Sequence, residues 1–237
     1  MKVINLDKDI FEKAFKLCNK EYKMQEIFDV LTQNDDVEKQ IAILKLENLH
    51  AVAQANLLVS HLTGQDGPIR EAVAIKLREL ILEKNCSVLD DEVFYPVYVD
   101  AVCDVNPNIC RFVIEFLPIL KNQNYLLNFL LKKLEDIFFR IDNPDKNQKN
   151  FLTVRLFNLY WCFEAVGALL EKFDKFEQNK RLAELMKRAI SFGDYTIDEK
   201  IAKILKLLGN LDEYSGIADS IQNSCNFYVK RYFERVE

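Results

Sequence analysis

Four stretches of the chain carry apolar residues at one shared spacing, 0, 4, 8 and 11, and this recurrence constrains the fold more than any other feature. They are Ile69, Val73, Leu77 and Leu80; Ile109, Val113, Leu117 and Leu120; Leu152, Leu156, Tyr160 and Phe163; and Ile197, Ile201, Leu205 and Leu208. Within one stretch the spacing marks the apolar stripe of a helix. The starting residues lie 40, 43 and 45 residues apart, with one further apolar helix in each interval. That is the period of stacked two-helix units, each burying its apolar face against the next. The stretch at Val37, Ile41 and Leu44 begins 32 residues before Ile69 and breaks the pattern at Lys45 and Asn48. A near-terminal unit that caps a stack is free to do so.

The rest of the chain agrees with an all-α fold. It has only 6 Gly and 5 Pro in 237 residues, whereas strand-rich sandwiches and barrels need these residues at turn after turn. Gly64, Gly67, Gly167, Gly193, Gly209 and Gly216 make neither G-x-G-x-x-G nor a Walker loop, so no phosphate-cradling loop is expected. Periodicity predicts helices near 7–19, 21–33, 36–48, 50–63, 68–84, 90–104, 107–121, 123–141, 147–173, 176–192, 196–209, 212–223 and 225–235. Turn residues separate them at Asn34-Asp35-Asp36, Gly64 to Pro68, Asn106-Pro107-Asn108, Asn143-Pro144-Asp145 and Gly193-Asp194. No linker is long enough to split the chain, so residues 1–237 read as a single domain, with atypical capping helices near 1–35 and 212–237.

The formal charge is −5, distributed as −7 over residues 1–120 and +2 over residues 121–237. A nucleic-acid binder carries a basic footprint, so this balance counts against one. Charges at Asp7, Lys8 and Asp9 interrupt any secretory apolar core, and no window approaches a membrane span. Cys18, Cys86, Cys103, Cys110, Cys162 and Cys225 are irregularly spaced with no C-x-x-C. They read as reduced, mostly buried thiols of a cytoplasmic protein.

Residues 94–120, FYPVYVDAVCDVNPNICRFVIEFLPIL, place Pro96 within a first helix, Asp104 at its end, Asn106-Pro107 at the turn, and Ile109 and Arg111 in a second helix. Residues 57–80 repeat the arrangement with Asp66, Ile69 and Arg70. In these features the chain resembles the HEAT-repeat family; the units around Leu152 and Ile197 follow by period. The resemblance implies a right-handed α-solenoid of about five to six stacked antiparallel helix pairs. It also implies that Asp and Arg tie neighbouring turns together, a structural role carried to Asp104 with Arg111 and to Asp66 with Arg70.

Candidates for chemistry are few. His50 and His61 would share a face of one helix but lie roughly 16 Å apart along it, too far to share a metal. They read as structural or surface residues, and no metal site or cofactor is expected. Asp90, Asp91 and Glu92 read as acids at a helix start. Lys132, Lys133, Arg140, Lys146 and Lys149 interleave with Glu135, Asp136, Asp142 and Asp145, as on a solvated mixed-charge face.

In HEAT-type stacks the second helices line a concave surface. If the apolar stripes face the core, residues facing away lie 2, 6, 9 and 13 positions after each starting residue. They form an expected binding ladder of Glu71, Arg78, Arg111, Glu115, Asn158, Trp161, Glu199, Lys203 and Lys206. Trp161, the sole tryptophan, is either its anchor or a core residue of an adjacent unit. The resulting expectation is a non-catalytic scaffold or adaptor binding a protein or peptide. One alternative resembles the HEAT-like DNA glycosylases, which need a basic groove. Another resembles the phycobilin-lyase HEAT proteins, whose repeats are shorter.

Overall fold

A computed structural model describes residues 6–33, 35–144, 151–172, 178–209, 214–222 and 226–233. Among the described residues thirteen α-helices form and no strand occurs. They are α1 (Leu6–Cys18), α2 (Met24–Leu31), α3 (Asp36–Leu44), α4 (Val52–Ser60), α5 (Gly67–Leu82), α6 (Tyr95–Ala101) and α7 (Pro107–Phe116). They continue with α8 (Gln123–Asp142), α9 (Phe151–Leu170), α10 (Asn179–Ile190), α11 (Tyr195–Leu208), α12 (Ser215–Gln222) and α13 (Phe227–Lys230). Each falls within or across a helix expected from periodicity. The expected capping regions hold α1 and α2 at one end and α12 and α13 at the other; residues 1–5, 34, 212–213, 223–225 and 234–237 lie outside the described residues.

The helices start where polar residues supply acceptors for orphan backbone donors. Asp35 accepts from the Glu38 amide at 3.1 Å, Asn106 from Asn108 at 3.0 Å, Asn122 from Tyr125 at 3.1 Å and Asp194 from Thr196 at 2.9 Å. Pro107 occupies the first position of α7, where its missing N–H costs nothing. Pro118 then ends the regular helix, and Leu117–Ile119 tighten into a 3₁₀ turn. The segment expected as one helix over 90–104 instead begins at the end of a 3₁₀ turn, Ser87–Asp90, and holds a second at Glu92–Phe94, followed by the short α6. Pro96 therefore sits in the first turn of a helix rather than inside one, again where its lack of a donor is harmless.

Packing follows chain order. Helices α3, α5, α7, α9 and α11 each lie against the next, and α8 packs between α6 and α10, which in turn meets α12. The pairs α2/α3, α6/α7, α8/α9 and α10/α11 pack across these two rows. Their apolar stripes meet in one contiguous core. Ile69, Val73, Leu77 and Leu80 are buried, as are Ile109, Val113, Leu117 and Leu120, and Ile197, Ile201 and Leu205. The stripe expected in α9 is out of phase: Leu152 is 48% exposed, and Leu156 and Tyr160 are half-buried. Of the expected stripe only Phe163 is buried; Leu159, Val166 and Leu170 fill the core beside it. α9 is apolar nearly all round, so its own sequence gives no side preference; its neighbours α7, α8 and α11 decide which side is inside.

His50 precedes α4 and His61 follows it, so the two do not share a helix. His61 is buried, with Nδ1 2.8 Å from the Leu57 carbonyl oxygen and Nε2 3.0 Å from that of Leu31, fastening α4 to the end of α2. Among the described residues no helix is long and apolar enough to cross a membrane, and no cluster of His, Cys, Asp and Glu could hold a metal ion.

Candidate binding groove

The residues at the expected turns assemble differently from the pairs the repeat suggests. The Arg70 guanidinium reaches across to the next unit, with Nε 2.7 Å from Asp104 Oδ2 and Nη2 3.1 Å from Oδ1. It also donates from Nη1 to the Gln65 carbonyl. Asp104 accepts the Asn106 amide at 2.8 Å, which fixes the turn ahead of α7. Asp66 caps α5 with its backbone carbonyl, accepting from Ile69 and Arg70, while its side chain makes no cap bond. The expected Asp66–Arg70 and Asp104–Arg111 ties are thus replaced by one tie between units. Arg111 lies instead over the Trp161 ring, 5.9 Å from its centroid.

Along the row from α5 to α13, most ladder residues are found linking one helix to the next. Glu71 accepts from the side-chain amides of Asn106 and Asn108, both at 2.9 Å. Arg78 Nε donates to Glu115, and its Nη1 lies 3.4 Å from Glu83. Lys203 pairs with Glu171 at 2.8 Å and lies 3.8 Å from Glu164. Glu199 accepts from Arg231 at 2.5 Å. Burial opposes the charge on Lys203, but the hydrogen bond to Glu171 and the fields of Glu164 and Glu171 outweigh it, so its pKa is raised. The Glu115 carboxylate likewise holds the Arg78 guanidinium protonated to higher pH than usual.

The phase shift in α9 moves its part of the ladder. Asn158 and Trp161 are buried, at 9% and 6% exposure, so Trp161 is mainly a core side chain. The residues of α9 that reach across to α11 are Tyr160, whose ring lies 4.8 Å from Lys200 Nζ, and Glu164, 2.9 Å from the same ammonium. Sequence reasoning missed Tyr160, Glu164 and Lys200. The signal was present as acidic residues at 164 and 171 facing lysines at 200 and 203, but only the pairing of α9 with α11 reveals it.

Trp161 nevertheless forms part of a groove. Arg111, Ile114 and Glu115 of α7 and Tyr160, Trp161 and Glu164 of α9 line a cavity of about 250 Å³. The tryptophan ring packs edge-on against Tyr160 at 5.0 Å and Phe157 at 6.0 Å. Its Nε1–H is buried and has no hydrogen-bond partner among the described residues. The groove therefore has an aromatic wall, a cation above it and carboxylates at its edge. A larger cavity of about 500 Å³ lies at the other end of the row and takes in Lys206, Leu205, Tyr214 and Tyr232. Its rim runs to Gly209 and Phe233, each adjoining a stretch outside the described residues.

The remaining charged clusters are internal ties. Asp90 accepts from the Tyr95 hydroxyl at 2.8 Å and the Lys121 amide at 2.9 Å, and Glu92 from Asn122 Nδ2 at 2.6 Å. Lys133 pairs with Asp100 at 2.7 Å and Arg140 with Asp136 at 2.9 Å; Lys146 and Lys149 lie outside the described residues.

Protein-family models, curated proteins and solved structures were compared with the chain, and none matches. The likeness to HEAT repeats accordingly rests on the repeat residues alone.

Proposed function

We propose that this chain is a non-catalytic scaffold or adaptor: a HEAT-like α-solenoid that binds a protein or peptide on the face formed by α5, α7, α9 and α11. The observation that carries this reading is the groove between α7 and α9, where Arg111 stands over Trp161 beside Tyr160, Glu115 and Glu164. An aromatic floor with flanking charges is the composition of an interface anchor pocket. The order of helix packing supports a stack, and stacks of this kind present extended surfaces for partners. The pairing of Arg78 and Lys203 with carboxylates on this surface favours a protein or peptide over a phosphate backbone.

The experiment is quantitative capture of partners from cell lysate on the immobilised full chain, compared with Arg111→Ala and with Arg78→Glu combined with Arg111→Glu. The reading expects specific partners to be lost from both variants while the circular dichroism spectrum of Arg111→Ala stays unchanged. An identical set of partners at identical yield on all three would overturn it.

A further inference from the structure

Two thiols from distant parts of the chain meet in the interior. Cys103 lies just past the end of α6 and Cys162 in the middle of α9, and their sulfur atoms are 3.3 Å apart with no bond between them. A disulfide requires about 2.05 Å, so bond formation needs the two sulfurs to approach by about 1.2 Å. The pair is asymmetric. Cys103 is half-buried, whereas Cys162 is fully buried. Three other groups surround them. The Lys133 ammonium, held by Asp100, places its field on both sulfurs. Cys110 donates to the carbonyls of Asp104 at 3.2 Å and Asn106 at 3.5 Å, and is thereby turned toward the backbone. The Asn158 carbonyl lies 3.9 Å from Cys103 Sγ.

We propose that Cys103 and Cys162 form a reversible dithiol–disulfide site, oxidised by exchange with a small disulfide of the glutathione type. The accessible sulfur reacts first. The Cys103 thiolate attacks one sulfur of the small disulfide, breaks its S–S bond and releases one thiolate, leaving a mixed disulfide on Cys103. The Cys162 sulfur then attacks the Cys103 sulfur from contact distance while its proton passes to the departing sulfur, so the second small thiol leaves as the neutral thiol. In sum, two protein thiols lose two protons and two electrons, and one small disulfide becomes two thiols. The order follows from accessibility: Cys103 is half-buried and Cys162 fully buried, so a small disulfide meets Cys103 first; the hydrogen bond with Cys103 and burial also raise the Cys162 pKa, which disfavours Cys162 as the first nucleophile. The new bond would strap the end of α6 to the middle of α9, beside Trp161.

The test uses the reduced full chain incubated under native conditions with excess oxidised glutathione, acid-quenched, alkylated and mapped by peptide mass. Mapping by position is needed because Cys18 is exposed and takes glutathione on its own. The expected result is a cross-linked peptide joining Cys103 to Cys162, lost on adding a thiol reductant. Cys103→Ser, a change at a half-exposed position, should leave Cys162 unmodified, and Cys162→Ala should trap glutathione on Cys103. The proposal is overturned if the wild-type chain keeps both thiols, stops at glutathionylated Cys103, or joins Cys103 to Cys110. The wild-type map decides even if Cys162→Ala fails to fold.

Discussion

Arg70 holds Asp104 by two parallel hydrogen bonds across 34 residues of sequence, joining the first turn of α5 to the turn before α7. The side chains are only 16% and 9% exposed, so each charge relies on the other in place of water. Removing one partner leaves the other buried and unpaired, which costs about 3–5 kcal/mol in fully buried pairs; residual exposure reduces this to about 2–4 kcal/mol here. Arg70→Ala and Asp104→Ala should each lower the unfolding free energy measured by urea titration by that amount. Arg70→Met combined with Asp104→Leu should cost much less than the two single losses added together, because no orphan charge remains. Single variants within about 0.5 kcal/mol of wild type would show that the pair does not tie the units.

Gly167 sits inside α9, where a glycine weakens a helix unless close packing demands it. A methyl group there would meet Ile204 Cγ1 at 3.7 Å and Lys203 Cδ at 3.8 Å, which is ordinary contact. Its φ is not in the left-handed region, unlike those of Gly64, Gly193 and Gly209. Gly167→Ala should therefore stabilise the fold by about 0.5–1 kcal/mol. A lowered thermal midpoint would mean that α9 and α11 pack more tightly than these distances indicate.

The helices were legible from sequence because most of them carry a one-sided stripe and are bounded by caps such as Asp35, Asn106, Asn122 and Asp194. α9 was placed in sequence but not in rotation. FLTVRLFNLYWCF is apolar on every side, so only the neighbouring helices can choose its inner face. The error carried over to the site: Trp161 and Asn158 moved inward, and Tyr160 and Glu164 took the surface. The tie between Arg70 and Asp104 was illegible for a related reason. Asp66 and Arg70 are neighbours in sequence, whereas the partner Arg70 selects is set by how one unit stacks on the next. The contact between Cys103 and Cys162 depends on that stacking as well, and no cysteine spacing reports it.

Arg111 separates binding from folding. Its side chain is exposed and touches the Trp161 ring from outside the core. Exposed cation–ring contacts contribute about 0.5–1 kcal/mol, so Arg111→Ala should lower the unfolding free energy by no more than that. Trp161→Ala removes a buried ring and should cost about 3–5 kcal/mol. Trp161→Phe should cost far less, since it also deletes the unpartnered Nε1–H. Equal losses for Phe and Ala at this position would show that the indole nitrogen has a partner that holds it.

Asp198 gives the fold a pH dependence of definite sign. It lies in the first turn of α11 with Oδ1 buried and without a hydrogen-bond partner among the described residues. Burial, reinforced by the negative charge of Asp194, pushes its pKa from the ordinary 3.8 up to about 6. Between those values the native chain keeps a proton that the unfolded chain has released, so stability falls as pH rises through this window. Below pH 3.8 both states are protonated and the penalty vanishes; above about 6 both are ionised and it is constant. Asp198→Asn cannot ionise, so it should be more stable than wild type on the alkaline side of neutrality. The two curves should converge as pH falls toward 3.8. Urea midpoints measured across that range check both points. Parallel curves with no convergence would place the Asp198 carboxylate in a hydrated setting, with nothing holding its proton.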